Sequence, residues 1–416
     1  MRVTASLAAI LLLLSLVGCG SFESTEIGRF RDVEEELVLR VATFNIEDLR
    51  TSELLDPTRP RPRLAAALLQ QIRPDIVLIN EIAYDQPGAP GWIEGQEPGQ
   101  NGQRFADLFL AESQGDGLEP IRYKSFMRPV NTGVASGLDL DNDGRVSLEP
   151  PGRNGDDRQD EQTAADRAYG QDAWGFGTFP GQYGMALLVR EGLEILEEEV
   201  RTFQRLAWSR MPGALQPEDP ATGQGWYSPD EWSVVRLSSK SHWDVPVRLP
   251  AGVALHVLAS HPTPPAFDGP EMRNRKRNHD EIRFWADYLE GADYIQDDAG
   301  RIGGLPDDRL FVLLGDLNAD PEGGNSLAEA VDRLLELGRV NSAFIPEAGS
   351  STAAELPHLG PEDTAGWGLR VDYVLPSADL EILDGGVWRH HGAEGVEVSD
   401  HFPVWLDIAV PIIDEP

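Results

Sequence analysis

Short apolar runs that stop on a polar residue recur along the chain, and stretches with apolar positions three and four apart lie between them. The first run, 37–45, is β-rich and ends on Asn45, as an inner strand does. Leu64, Leu68, Leu69 and Ile72 then share one face of a helix predicted over 63–72. Pro74-Asp75 breaks that helix. The continuous run Ile76-Val77-Leu78-Ile79 has the composition of a strand buried on both faces, and it delivers Asn80 and Glu81 at its end. The strand signature returns at 185–189, 253–260, 310–314, 371–375 and 404–408, and helical spacing returns at 280–289 and 327–337. Between 85 and 180 the pattern dissolves into Gly, Pro, Asp and Gln, with one helical stretch near 105–110. A second excursion, 208–232, carries Pro, Gly and Trp. Loops this long inside a compact domain tend to be functional.

No repeat, second composition regime or linker interrupts the chain after residue 36. The pattern predicts one α/β domain over 37–411 with long insertions at about 85–180 and 208–232. Its expected architecture is a four-layer α/β sandwich, two mixed β-sheets packed face to face with helices outside. The first residues differ. Arg2 followed by the apolar run 5–17, too short for a membrane span, is the pattern of an export signal. That run ends in Leu16-Val17-Gly18-Cys19, which resembles the signal box of bacterial lipoproteins. The resemblance implies removal of 1–18 and lipid attachment at Cys19, with 19–36 as a flexible polar tether. Gly20 stands where an aspartate would imply inner-membrane retention, so an exported protein, lipid-anchored at the outer membrane, the cell surface or in the periplasm, is expected. Cys19 is the only cysteine, which excludes an intrachain disulfide.

Charge narrows the partners. The 35 basic and 70 acidic residues give a net charge of −35, a field that repels polyanions and excludes a general nucleic-acid coat protein. It does not exclude phosphate chemistry, because a bound metal inverts the potential inside a carboxylate-rich pocket.

Polar residues gather at the ends of the expected strands: Asn45, Glu81, His261, Asp316, Asn318, Asp372, Asp400 and His401. Carboxylates and amides are hard oxygen ligands, suited to Mg²⁺, Mn²⁺ or Ca²⁺ rather than zinc. The stretches Ala42-Thr43-Phe44-Asn45, Pro74 to Glu81, Ser260-His261-Pro262-Thr263, Gly315-Asp316-Leu317-Asn318, Val371-Asp372-Tyr373 and Ser399-Asp400-His401-Phe402-Pro403-Val404 resemble, in order, the motifs of the endonuclease/exonuclease/phosphatase superfamily. The resemblance covers about 37–411. It implies a metal-dependent phosphoesterase using Mg²⁺ or Mn²⁺, with Glu81 as the principal metal carboxylate and Asn45 and Asp400 beside it. It further implies that Asp316 orients and deprotonates the attacking water and that Asn318 donates to the scissile phosphate. His401 would contact that phosphate, held by Asp372, and His261 would serve as general acid or phosphate ligand. The chemistry is coherent: phosphoester cleavage needs an oriented water, neutralised phosphoryl oxygens and help for the departing oxygen. No cysteine nucleophile or Gly-x-Ser-x-Gly elbow points to a covalent intermediate.

Two further segments carry chemistry. Asp139, Asp141 and Asp143 with Gly144 match the start of a calcium-binding loop, although Pro150 stands where the bidentate Glu belongs. The segment reads either as a structural Ca²⁺ site or as an acidic turn. The basic run from Arg273 to His279 reads either as a phosphate-binding rim made of Arg273, Asn274 and Arg277 or as a helix start capped by Asn278. Ser238-Ser239-Lys240-Ser241-His242 reads either as part of the same cleft or as a strand edge. The expected partner is a phosphorylated substrate, whether small molecule, lipid headgroup or nucleic acid, and the expected protein is a monomer held to a membrane by its anchor. A secreted nuclease and a non-catalytic surface binding protein are the alternatives. The second conflicts with the intact set Glu81, Asp316, Asn318, Asp372, Asp400 and His401.

Overall fold

The computed structural model describes residues 29–30, 36–152, 162–250, 252–349, 356–389 and 396–411. The signal segment and Cys19 lie outside the described residues. Of the expected tether, Arg29–Phe30 pairs antiparallel with the first long strand, Arg29 opposite Val38.

Two sheets form the body. The first contains β1 (Glu36–Leu49), β2 (Ile76–Ile82), β3 (Tyr123–Phe126), β4 (Met185–Arg190), β11 (Glu381–Val387) and β12 (Val404–Pro411), in the order β11-β12-β1-β2-β4-β3. The second contains β5 (Glu194–Ile195), β6 (Arg201–Thr202), β7 (His242–Arg248), β8 (Ala254–Ser260), β9 (Leu310–Asp316) and β10 (Asp372–Pro376). Its order is β10-β9-β8-β7-β5, with β6 also on β7. β1 and β2 run parallel, as do β8 and β9, while the remaining neighbours run antiparallel, so both sheets are mixed.

Strand alternation builds the layers. Along β9, Val312 and Leu314 join Val41, Leu78 and Val257 in the core between the sheets. Phe311 and Leu313 point the other way, into a second core with Ile282, Trp285 and Leu289 of helix α4 (Arg273–Leu289). On the far side of the first sheet, Ala65, Leu68 and Leu69 of α1 (Pro60–Ile72) close the inter-sheet core from outside. Helix α5 (Glu329–Leu335) adds Ala330, Val331 and Leu334 beside α4. The result is the four-layer sandwich, and it positions the ends of β1, β2, β8, β9 and β10 together.

Several elements depart from the reading of the pattern. β7 went unread because Pro246 sits inside it, and proline ordinarily marks a non-strand or an edge. β11 carries Asp384-Gly385-Gly386 and a register shift between Ile382 and Asp384, which look like a turn in sequence. The first insertion is not structureless. It supplies the edge strand β3, helix α2 (Asn101–Phe105) with a π turn over Ala106–Leu110, and helix α3 (Ala164–Asp172). The second insertion is not a surface excursion, because Trp208, Met211 and Tyr227 are buried in the core under α4. There Trp208 Nε1 donates to Asp280 Oδ2 at 2.6 Å.

Candidate active site

Register brings the polar strand ends into contact. Asn45 lies opposite Asn80 across β1 and β2, with Glu81 next along the chain. Asp316 lies opposite Asp372 across β9 and β10. The two sheets are then tied at this end, since Asn45 Nδ2 donates to Asp316 Oδ2 at 3.0 Å and to Glu81 Oε1 at 3.1 Å. Four of the nine left-handed non-glycine residues among the described ones lie here: Glu47, Asp48, Glu81 and Asn318 have φ between 51° and 64°, a sparsely populated conformation that clusters at functional sites. Gly315 allows the close approach of β9 to β8, because a Cβ there would lie 2.0 Å from the Ser260 carbonyl oxygen.

Asp316 is the centre. Its Oδ1 accepts from the Asn318 backbone at 2.8 Å, its Oδ2 accepts from Asn318 Nδ2 at 3.2 Å, and His261 Nε2 and His401 Nε2 stand 3.4 and 3.7 Å from Oδ2. Burial pushes this carboxyl up, but the His401 imidazolium and the donated hydrogen bonds outweigh it and hold it below the ordinary carboxylate range. His401 Nδ1 pairs with Asp372 Oδ2 at 2.9 Å. Burial opposes the His401 imidazolium, yet the flanking Asp372 and Asp316 carboxylates prevail and raise it well above an ordinary histidine. Ser399 Oγ accepts from the His401 backbone at 3.0 Å and donates to the Asn45 carbonyl at 2.7 Å, which fixes the His401 turn to β1. Glu81 Oε2 accepts from the Asp48 backbone at 3.0 Å, and burial pushes the Glu81 carboxyl up to about 7. Asp400 is the exposed member, 44% accessible, with its Oδ1 3.9 Å from His401 Nε2.

A cleft of about 430 Å³ opens onto this cluster, lined by Glu47, Glu81, Asp316, Asp320, Asp400 and His401 among others. No Lys or Arg lines it among the described residues. Five carboxylates in such a lining, one of them raised by burial, form a donor set that fits a hard divalent metal. Donor atoms of Asp316, Asp372 and His401 lie within 4.8 Å of one another. Glu47 and Asp320 escaped the sequence reading, since neither ends an apolar run.

Three expectations change. Asn45 bridges Glu81 and Asp316 through its Nδ2, and its Oδ1 accepts from the Glu47 backbone at 2.9 Å, so beside the expected metal role it also acts as a donor that ties the carboxylates together. His261 does not line the cleft. It is 1% exposed behind Asp316, neither ring nitrogen has a hydrogen-bond partner among the described residues, and burial with the Lys240 cation pushes it down to about 4. A neutral, enclosed imidazole is not placed to act as a general acid on a substrate.

The basic rim is the third. α4 begins at Arg273, not near Asp280, and Asn278 is a buried interior residue whose Nδ2 donates to the Thr263 and Leu317 carbonyls at 2.9 Å. Arg277 spends its guanidinium on the Leu237, Trp174, Arg236 and Ser238 carbonyls at 2.7 to 3.1 Å. Arg273 donates to the Leu140 carbonyl at 2.9 Å and to Gln171 Oε1. Asn274 Nδ2 donates to the Ala266 carbonyl at 2.7 Å. Arg273 and Arg277 fasten the first insertion and the 236–238 segment to α4, Asn274 holds the loop before it, and none of the three lines the cleft. Ser239 and His242 are likewise buried against Glu281, and Lys240 Nζ donates to the Pro262 carbonyl at 3.4 Å, beneath the cleft rather than in it.

The calcium-like loop is formed. Asp139, Asp141 and Asp143 offer oxygens within 4.8 Å of one another, and the Asp143 and Gly144 backbone amides donate to Asp139 at 3.1 and 2.9 Å.

A model of the endonuclease/exonuclease/phosphatase family matches residues 42–401. Among solved structures, the chain is similar to an endonuclease/exonuclease/phosphatase from Beutenbergia cavernae, at 18% identity and a TM-score of 0.48, over 89% of this chain and 71% of that one. It is similar to a family protein from Bacteroides thetaiotaomicron at 12% identity and a TM-score of 0.44, over 92% of this chain and all (100%) of that one. It is also similar to a mannosyl-6-phosphatase from the same organism at 12% identity and a TM-score of 0.42, over 89% and 99%. Comparison with the curated proteins gives no match.

Proposed function

The chain belongs to the endonuclease/exonuclease/phosphatase family and is a metal-dependent phosphoric ester hydrolase, and we propose that it cleaves its ester by direct attack of a water held on Asp316. The observation that carries this reading is the buried Asp316 carboxylate, fixed by Asn45 and Asn318 and facing the His401–Asp372 pair. The Asp316 carboxylate accepts a hydrogen bond from the water and takes its proton as the new P–O bond forms. The old P–O bond breaks in line, opposite the water, and the departing oxygen takes a proton from solvent. His401 Nε2 stands 3.7 Å from Asp316 Oδ2, on the attacking side, so its imidazolium stabilises the non-bridging oxygens rather than the departing one. Asn318 Nδ2 donates to the same phosphoryl group. Glu81, with Glu47 and Asp400, would hold the divalent cation, which when bound neutralises phosphoryl charge.

Mg²⁺ or Mn²⁺ is the metal that this all-oxygen set fits. Hydrolysis of bis(p-nitrophenyl) phosphate is expected with either ion, to be lost in EDTA and to return on adding the ion back. Full turnover by the chelated, metal-free protein would count against the mechanism. The export signal and the Leu16-Val17-Gly18-Cys19 box support action outside the cytoplasm from a lipid anchor. Cys19→Ser is expected to move the protein from the membrane fraction to the soluble one, and unchanged partitioning would contradict the anchor.

The loop 139–144 is read as a structural calcium site. Burial raises Asp141, with Asp172 and Asp143 adding to the effect, so its carboxylate gains from a bound cation. Calcium is expected to raise the thermal midpoint by binding the native state, and Asp141→Ala with Asp143→Ala is expected to remove that increment. A double variant that keeps the whole increment would identify a plain acidic turn.

A further inference from the structure

The cleft has a second character beside its carboxylates. The loop that follows His261 contributes Pro264, Pro265 and Phe267 to one part of its lining, and the loop before β10 contributes Trp367 and Leu369. Phe267 is 93% exposed and Trp367 50%, so both rings stand where the cleft meets solvent.

Phe267 is held out. Its φ of 58° is a left-handed conformation that a bulky side chain rarely adopts. The neighbouring residues are fastened on both sides: Asn274 Nδ2 donates to the Ala266 carbonyl at 2.7 Å, and the Asn274 and Arg275 backbone amides at the start of α4 donate to Asp268 at 2.7 and 3.0 Å. Strain of this kind persists only where the surroundings over-determine it, and it marks functional positions. Trp367 is presented in a similar way. It tips a hairpin in which Ala365 pairs with Leu369 and the Gly366 amide donates to the Asp400 carbonyl at 2.8 Å, and its ring meets His401 edge-on at 4.9 Å between centroids.

Resting on the phosphoesterase reading of this same site, we propose that the preferred substrate carries one phosphate and an extended apolar group, seated between the Pro264–Phe267 segment and Trp367. The cleft offers no Lys or Arg among the described residues for additional phosphates, and the net charge of −35 repels polyanionic chains. An aliphatic or acyl chain covers a wall of proline, phenylalanine and leucine without needing hydrogen-bond partners.

The test compares methyl p-nitrophenyl phosphate with octyl p-nitrophenyl phosphate in saturating Mg²⁺. Both carry one charge and the same leaving group, so kcat/KM differs only through the apolar arm. Burying about three methylenes, at ~fourfold each, gives an expected octyl-to-methyl ratio of about 60. Phe267→Gly suits the left-handed backbone and is expected to fold, and its ratio is expected to fall to about 5, whereas Phe267→Tyr keeps most of the preference. A merely structural role for the loop would lower both esters equally and leave the ratio unmoved, and that result overturns the proposal. So does a wild-type ratio near one, or faster cleavage of thymidine 5′-(p-nitrophenyl) phosphate than of the octyl ester. Failure to cleave either alkyl ester removes the phosphoesterase reading itself, a distinct outcome. In a parallel arm, headgroup or phosphate release from phosphatidylglycerol vesicles assigns a bilayer lipid as the source. Hydrolysis confined to the soluble octyl ester assigns a free amphiphile, and either result supports the apolar subsite.

Discussion

Asp316→Asn lowers kcat by about 10²–10⁴-fold while leaving KM within a few-fold, the range for a lost general base acting chiefly in the transition state. The substitution keeps the shape of the side chain and can still fill the space between Asn45 and Asn318. It cannot hold a negative charge or accept the proton of the attacking water. The surroundings keep the native carboxylate free of a proton, because His401 and the hydrogen bonds from Asn318 hold it ionised despite its burial. Near-isosteric replacement also guards against the trivial explanation, because the thermal midpoint reports whether the two sheets remain tied at Asn45. The measurement is steady-state kinetics on bis(p-nitrophenyl) phosphate in saturating Mg²⁺, with the midpoint measured alongside. A kcat within tenfold of wild type, in a variant as stable as the parent, removes Asp316 from the water-activating role.

The sequence was legible where burial dictated it. A carboxylate or imidazole at the end of an apolar strand can only be paired, metal-bound or exposed, and so Glu81, Asp316, Asp372 and His401 stood out, and the register of β1 with β2 and of β9 with β10 brings them together. What the pattern could not reveal was how polar groups are spent locally. The charge of Arg273 and Arg277 suggested an anionic partner, yet backbone carbonyls of the first insertion and of the 236–238 segment before β7 take those guanidiniums. Carbonyls are present at every residue and leave no trace in a sequence. His261 illustrates a second limit: its place after β8 is readable, but its enclosure behind Asp316 depends on the packing of Lys240 and the β8–β9 approach allowed at Gly315. Glu47 reaches the cleft through a left-handed backbone turn just after Asn45, which no propensity scale forecasts for a glutamate. β7 was hidden by Pro246 and β11 by its glycines.

His401→Ala lowers kcat by about 10²–10⁴-fold, and Asp372→Ala/His401→Ala is barely worse than His401→Ala alone. The reason lies in the 2.9 Å contact of His401 Nδ1 with Asp372 Oδ2: Asp372 acts on the reaction only through the imidazole it orients and keeps charged. Asp372 is itself fixed, since Thr364 Oγ1 accepts from the Val371 and Asp372 backbone amides at 2.9 and 3.0 Å, so the pair is set before substrate arrives. Asp372→Ala alone is expected to fall short of the His401 loss, because an unpaired His401 still faces Asp316 at 3.7 Å and retains part of its charge. Removing His401 first deprives Asp372 of its only route to the phosphate, and the second substitution then has nothing left to disturb. In a double-mutant cycle this appears as a coupling free energy close to the whole effect of Asp372→Ala. Losses that multiply independently at the two positions would show that Asp372 contributes by another path, with Asp316 directly across β9 and β10 as the neighbour through which it would do so.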